Sequence, residues 1–438
     1  MNPEVSIATA IPLLQQRPFR VLSYTRFFGR VAQNAINFAL VLLIVDETGK
    51  AFLSSLLVLA LVVPSTVAGI VAGTAADIFP KRLLVSLGNL ARAAICLYFL
   101  RGEGGVALYY VVAVLIATAT QFAASAEGAI LPAIVERQEL ARANAIGQAV
   151  GGAAQLIGLG VLTPVVLRVF DSPRTLFGIC AALFAVAAVQ AWWIGRTRSP
   201  RQAEVGAGMT GRWWLTGWRA MQSDPHVMNA SIELTLLSAV IIILSGLIPA
   251  YIDDVLGLPV EIGALILTPA ALGVLLGLKF ASFLARRVPH AFLSTVGFLW
   301  FVVMLGLLAF VNKEADFLGG FGMFAWLNKV SIGEFDGGGV MAMILMLPLG
   351  FSYSVVNVAG QTVIDDRVPL YLRGRVGATQ SAMTAIACSV PVLAAGALSD
   401  VVGVAPVLAI VAVVTGVFAF VNLRQPRENR PGQRGAVP

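Results

Sequence analysis

Charge is scarce in this chain of 438 residues: Asp, Glu, Lys and Arg together make up 12%, about half of what soluble globular chains carry. Mean hydropathy is +0.86 and 58% of residues are hydrophobic, so water cannot be the main solvent and a soluble enzyme is excluded. Histidine is nearly absent. The two present, His226 and His290, fall where apolar runs end, which leaves little material for a metal site or a histidine-based triad. The three cysteines, Cys96, Cys180 and Cys388, lie inside apolar runs without CxxC spacing and read as small hydrophobes packed between helices. A GxxxxGK[ST] loop is missing, which argues against ATP-driven pumping within this chain. No catalytic residue, metal ligand or cofactor is therefore expected.

What the chain does have is long apolar runs. Stretches of about 18 or more such residues read as membrane-spanning helices, because lipid offers no partner to an open backbone group. Twelve are placed near 19–45, 51–75, 83–100, 106–131, 144–168, 174–195, 227–250, 260–284, 291–311, 340–363, 376–399 and 404–423. The opening residues lack a cleavable secretory pattern, so the first span is expected to stay in the protein.

Most of the 30 basic residues, among them Arg17, Arg20, Lys81, Arg82, Arg92, Arg142, Arg219, Arg367, Arg373 and Arg375, are assigned to one side. The positive-inside rule then puts both termini in the cytoplasm of a bacterial inner membrane. The domain reading is a first six-helix bundle over 1–196, a cytoplasmic linker over 197–225, a second six-helix bundle over 226–424 and a tail over 425–438. The linker mixes basic residues with Trp213, Trp214 and Trp218 and reads as lying on the membrane surface. A Gly-rich loop over 312–339 faces outward on this topology. The segment after Val135 echoes the one after Ile364, as a parallel repeat of two bundles would, and such a repeat permits alternating access by rocking.

Polar residues recur in every third span. Arg26, Arg30, Gln33, Asn34 and Asn37 share one stripe of span one. Span four offers Thr118, Gln121 and Ser125 with Glu127, span seven Glu233 and Ser238, and span ten Ser354, Asn357 and Gln361. Side chains of this kind face a bundle interior or a wet cavity. Arg30, Gln33, Asn34, Asn37, Gln121, Asn357 and Gln361 are the candidate cavity residues, and Glu127 is a plausible partner for Arg26 or Arg30. Glu127 and Glu233 are the carboxylates inside spans, and each could serve proton coupling or a gate. The plainer alternative for the hydroxyl residues is a bond to their own helix backbone.

Between spans two and three, the run GTAADIFPKR from Gly73 to Arg82 resembles the G-x-x-x-D-R-x-G-R-R signature of the major facilitator superfamily. The stretch from Ile130 to Ile146 and RGRVGA from Arg373 to Ala378 resemble the subgroup of enterobactin exporters and macrolide-efflux proteins. The resemblance implies an all-α fold of twelve helices in two six-helix bundles and alternating access, often with proton-coupled export. It also implies that Asp77, Lys81 and Arg82 help hold a cytoplasmic gate; Arg26 in span one, and Arg373 and Arg375 between spans ten and eleven, are further coupling or gate candidates. The chain departs from the pattern at Ile78 and Pro80, at Gln33 where the subgroup often has an acid, and at Gly158-Leu159-Gly160 with Pro164 in span five.

The expectation is a monomeric secondary transporter exporting a drug- or siderophore-like solute. Its partners would be that solute, membrane lipid and protons, with no nucleic acid. A lipid or lysolipid flippase, and a transport-incompetent scaffold or sensor, are the alternatives.

Overall fold

The computed structural model describes residues 13–100, 105–136, 139–170, 172–195, 213–258, 264–284, 287–311 and 337–424. The 312–336 loop, most of the linker and the 425–438 tail lie outside them. The described residues fold into α1 (Arg17–Thr48), α2 (Ala51–Ile78), α3 (Lys81–Phe99), α4 (Gly105–Ile134), α5 (Leu140–Ile157), α6 (Thr163–Phe170) and α7 (Pro173–Trp192). After these come α8 (Trp213–Gln222), α9 (Pro225–Ala250), α10 (Thr268–Leu284), α11 (His290–Ala309), α12 (Gly337–Arg367), α13 (Leu370–Val402) and α14 (Val404–Arg424). A π-helical turn, Gly158–Leu162, joins α5 to α6 as one span.

Ten described segments are long and apolar enough to cross a membrane, and two shorter apolar helices, Leu265–Ala281 and Val404–Phe420, stand where spans eight and twelve are predicted. Short connections make consecutive spans run in opposite directions. Below, the end where α1 begins is the near end and the end where it stops is the far end. Local signals set the turns: Pro occupies the first turn of α1, α7 and α9, where its missing N–H costs nothing. Gly49 ends α1 at φ 62, a left-handed value, with its N–H on Val45 O at 2.7 Å.

Burial follows the order of the chain. Ala32, Ile36 and Leu40 of α1 pack with Val112 and Ile116 of α4 and with Phe177 and Phe184 of α7. Phe99 stacks on Phe177 with ring centroids 3.9 Å apart. A second core joins Leu237 and Leu247 of α9, Phe298 and Phe301 of α11, Leu345 of α12, Val392 of α13 and Leu408 of α14. All three cysteines are buried and free. The first six spans meet the rest along two seams, α2 against α9 and α13, and α5 against α10.

Two expectations change. Arg92 does not belong with the loop cations: it lies in the middle of α3, 4% exposed. The described part of the linker does more than lie on a surface, because α8 packs on α13 with Gly217 against Thr379 and the Arg375 carbonyl. Met221 of α8 is buried with Val227 and Val363.

Candidate functional site

Small and hydroxylic residues set the α2–α9–α13 seam. Ser54 Oγ donates to Gly246 O of α9 at 2.6 Å. Ser55 is wedged between two glycines: a Cβ on Gly396 of α13 would come within 2.5 Å of its Oγ, and one on Gly246 within 2.8 Å. Only residues without a Cβ let three helices close this tightly. Just beyond, Asp400 of α13 accepts from the backbone N–H of Ala51 at 2.8 Å and of Phe52 at 3.2 Å, so a carboxylate of one half caps a helix of the other.

A cavity lies on each side of this closed layer. Toward the near end, about 520 Å³ is lined by Val62 and Thr66 of α2, Ser238 of α9, Gln361 and Asp365 of α12, and Arg373, Gln380, Ser381 and Thr384 of α13. Toward the far end, about 690 Å³ is lined by Asp46, Lys50, Asp253, Asp254 and Asp400 together with Leu42 and Ala250. On α2, Ser54 and Ser55 stand between the residues that line the near cavity, Val62 and Thr66, and the one that lines the far cavity, Ala51. Among the described residues, no group of three His, Cys, Asp or Glu is placed as metal ligands would be.

The α1 stripe divides between two neighbours. Arg26 pairs with Glu127 of α4, its Nε 3.4 Å from Oε2 and its Nη2 donating to Glu127 O at 2.8 Å. Gln33 Oε1 accepts from Thr120 Oγ1 of α4 at 2.5 Å and from Arg92 Nη1 at 3.4 Å, while Gln33 Nε2 donates to Asn37 Oδ1 at 2.7 Å. Arg92 also donates to Asn89 Oδ1 at 2.6 Å and lies over the Phe184 ring at 4.5 Å. Arg30 and Asn34 turn the other way, toward Gly151 of α5 and Gly158 of the π turn.

Of the other predicted positions, Gln361 and Arg373 line the near cavity. Asn357 sits half-buried one turn before Gln361, and Gln121 lies against Gly69 of α2. Glu233 is 6% exposed. Its two oxygens accept from Ser294 and from Thr295, the latter at 2.8 Å, both on α11, and no cation pairs with it among the described residues. Arg373 donates to the carbonyls of Asp365 and Val368, closing the end of α12. Arg375 gives its carbonyl to Thr379, Lys81 opens α3 half-buried, and Arg82 lies over the Trp192 ring at 5.1 Å. The Asp77 side chain lies outside the described part.

At the near end Asp224 caps α9 through the His226 N–H at 2.8 Å and pairs with Arg367 Nη1 at 2.9 Å. Partial burial alone would raise the Asp224 carboxyl, but the Arg367 hydrogen bond, the His226 N–H and the two nearby positive charges outweigh it and hold it below its ordinary 3.8. The sequence reading missed Ser54, Ser55, Asp400, Gln380, Ser381 and Arg92. The spacing of Gln380, Ser381 and Thr384 in span eleven, and of Asn89 and Arg92 in span three, was the available signal.

Comparison with known proteins fits this geometry. The family model for the Major Facilitator Superfamily matches residues 22–333. The chain is 27% identical over 400 residues to the multidrug efflux pump Tap of Mycobacterium tuberculosis and of Mycobacterium bovis, covering 86% of this chain and 87% of each relative. In fold it is similar to the nucleoside transporter NupG, with a TM-score of 0.66 and 14% identity over 93% of this chain and 98% of that one. It is also similar to the peptide transporter POT crystallised with sulfate, with a TM-score of 0.69 and 14% identity over 93% and 94%.

Proposed function

The chain belongs to the Major Facilitator Superfamily, and from that premise we propose that it exports a small apolar or amphipathic, drug-like solute across a bacterial inner membrane by alternating access, with protons as counter-ion. The observation that carries this reading is the layer of Ser54, Ser55, Gly246 and Gly396, with one cavity on each side of it along a single seam. A carrier needs such a layer to open at one end while it closes at the other. A scaffold has no use for it.

In this account residues 1–196 and 226–424 move as two bundles, with 197–225 as linker, and the basic near end faces the cytoplasm, with both termini there. The near cavity takes the solute, with Gln361 and Arg373 on its wall; Arg30, Gln33, Asn34, Asn37, Gln121 and Asn357 extend the path along α1, α4 and α12. The Arg26–Glu127 pair is a fixed internal gate contact, because each charge neutralises the other. Glu233, buried with no cation beside it among the described residues, is the candidate proton carrier. Asp77, Lys81, Arg82 and Arg375 belong to the cytoplasmic gate. The 27% identity to a protein named a multidrug efflux pump supports the direction and the breadth of substrate.

The experiment is solute movement out of everted vesicles or proteoliposomes across an imposed pH gradient, with proton movement read in parallel. The expected result is solute moving uphill against proton flow, with Glu233→Gln uncoupling the two. Movement only down the solute's own gradient would make the protein a uniporter.

A further inference from the structure

Most of the near cavity's wall is polar, and little of that polarity is taken up by the protein itself. Gln361 of α12, Gln380 and Thr384 of α13 and Ser238 of α9 line it, and the side chains of these four make no hydrogen bond to another described residue. Thr66 and Ser381 donate to their own helix backbones, at Val62 O and Gly377 O, and keep their acceptor lone pairs. On α9, Thr235 and Ser231 continue the stripe of Ser238 toward the near end, with hydroxyl oxygens that are buried and without a hydrogen-bond partner. The apolar part of the wall is Val62, Ile364 and Ala385.

Charge on the same wall cancels. Its acid and its cation, Asp365 and Arg373, stand 4.0 Å apart, and the Arg373 guanidinium is folded onto the Asp365 and Val368 carbonyls at the end of α12. An ion entering this space would give up hydration with no free counter-charge to meet it. A hydroxyl group fares better. It donates one hydrogen bond and accepts two, and a carboxamide, with two donors and an acceptor oxygen, answers both needs.

We infer that the near cavity selects an uncharged, hydroxyl-bearing solute, a neutral glycoside with an apolar aglycone, in which Gln361 and Gln380 bind sugar hydroxyls while Val62 and Ile364 meet the aglycone. The inference rests on the carrier reading, which makes this cavity the solute site. It narrows the amphipathic class to solutes whose polar part carries no charge.

The test uses the full chain in lipid nanodiscs, with empty nanodiscs as blank, and equilibrium dialysis of four probes that share a para-nitrophenyl ring: the neutral glucoside, the anionic glucuronide, the cationic glucosaminide and the tetrahydropyranyl ether, which has no hydroxyls. Wild type is expected to bind the glucoside about tenfold tighter than each of the others, the scale of one or two hydrogen bonds. Gln361→Leu and Gln380→Leu should each weaken the glucoside about tenfold and leave the ether unchanged. Asp365→Asn leaves Arg373 without its counter-charge and should strengthen the glucuronide relative to the glucoside, a gain that misfolding cannot produce.

A wild type that binds none of the probes, prefers a charged one, or takes the ether as well as the glucoside overturns the inference. So does an equal loss of glucoside and ether in the two leucine variants, which would make the glutamines structural. Efflux of the probes from proteoliposomes separates the two readings. Selective binding of the glucoside with no efflux of any probe contradicts the carrier reading alone, and efflux without preference for the glucoside contradicts the inference alone.

Discussion

The carboxylate of Asp400 reaches across the seam to hold the first two backbone N–H groups of α2, with Asp400 Oδ1 2.8 Å from Ala51 N. A helix cap is ordinarily local in sequence; this one joins residues 349 positions apart and belongs to the two different halves of the chain. On the proposed carrier reading it exists only while the far end is closed. The closed state therefore carries a stabilising contact that the open state must give to water.

Asp400→Ala should shift the resting population toward the far-end-open state. Loss of a helix cap costs about 1 kcal/mol, a change of about fivefold in a two-state ratio. Distance measurements between spin labels on the far ends of α2 and α13 should show the longer distance gaining population. An unchanged distribution would mean that Asp400 is only a surface residue near a helix start.

Closure of this layer needs a glycine at 396, because a Cβ there would lie 2.5 Å from Ser55 Oγ, 2.8 Å from Ser55 Cβ and 3.0 Å from Ala51 O. Gly396→Val should leave expression and folding near wild type while lowering transport by an order of magnitude or more, the scale of about 1.4 kcal/mol or more against closure. Gly396→Ala alone should be milder, and adding Ser55→Gly should recover part of its loss, because the clash is mostly with the hydroxyl. Transport rates of the three variants settle the matter; equal activity in all of them would contradict the tight layer.

The spans were legible in the sequence because hydropathy alone marks them: every predicted range overlaps an observed helix, and the ends differ by only a few residues apart from spans eight and eleven. The functional layer was not legible. Ser54, Ser55, Gly246 and Gly396 are ordinary residues in transmembrane runs, and only the crossing of three helices distant in sequence gives them a role. The α1 stripe was found by its spacing, but its division between α4 and α5 was not, since it spreads over a wide arc and the neighbours of α1 are a tertiary fact. Counting charge by type places Arg92 among the loop cations, although Asn89 and Arg92, three apart, already mark one inward face.

Glu127 and Glu233 should behave differently on neutralisation. Glu127→Gln leaves Arg26 with 13% side-chain exposure and no counter-charge, so the melting temperature in detergent should drop clearly, as breaking a largely buried pair does. Replacing both, as Arg26→Met with Glu127→Leu, should return much of the loss. Glu233→Gln keeps its hydrogen-bonding shape toward Ser294 and Thr295 and should melt near wild type while losing its response to a pH gradient. Glu233→Gln with intact coupling would remove it as the proton carrier.

The Asp224–Arg367 pair gives a pH signature at the near end. Asp224 is held below its ordinary 3.8 in the folded protein, so its contribution to stability is complete above that value and is lost as pH falls through the lower folded-state one. Between pH 5 and pH 3 the wild type should lose more thermal stability than Asp224→Asn, which has no such charge to lose. Parallel melting curves for the two would show that the pair contributes nothing.

The most direct test of the account is reciprocal access along the α2–α13 seam. With the three buried cysteines replaced, single cysteines are placed at Ser381 on the near cavity and at Val45 on the far one, and each is labelled with a bulky membrane-impermeant maleimide in vesicles of known orientation. The account predicts that position 381 reacts from the basic side in the resting protein, and that Gly396→Val suppresses this reaction while exposing position 45 to the opposite side. Labelling at both positions that is the same in the resting protein and in Gly396→Val would contradict alternating access through this seam.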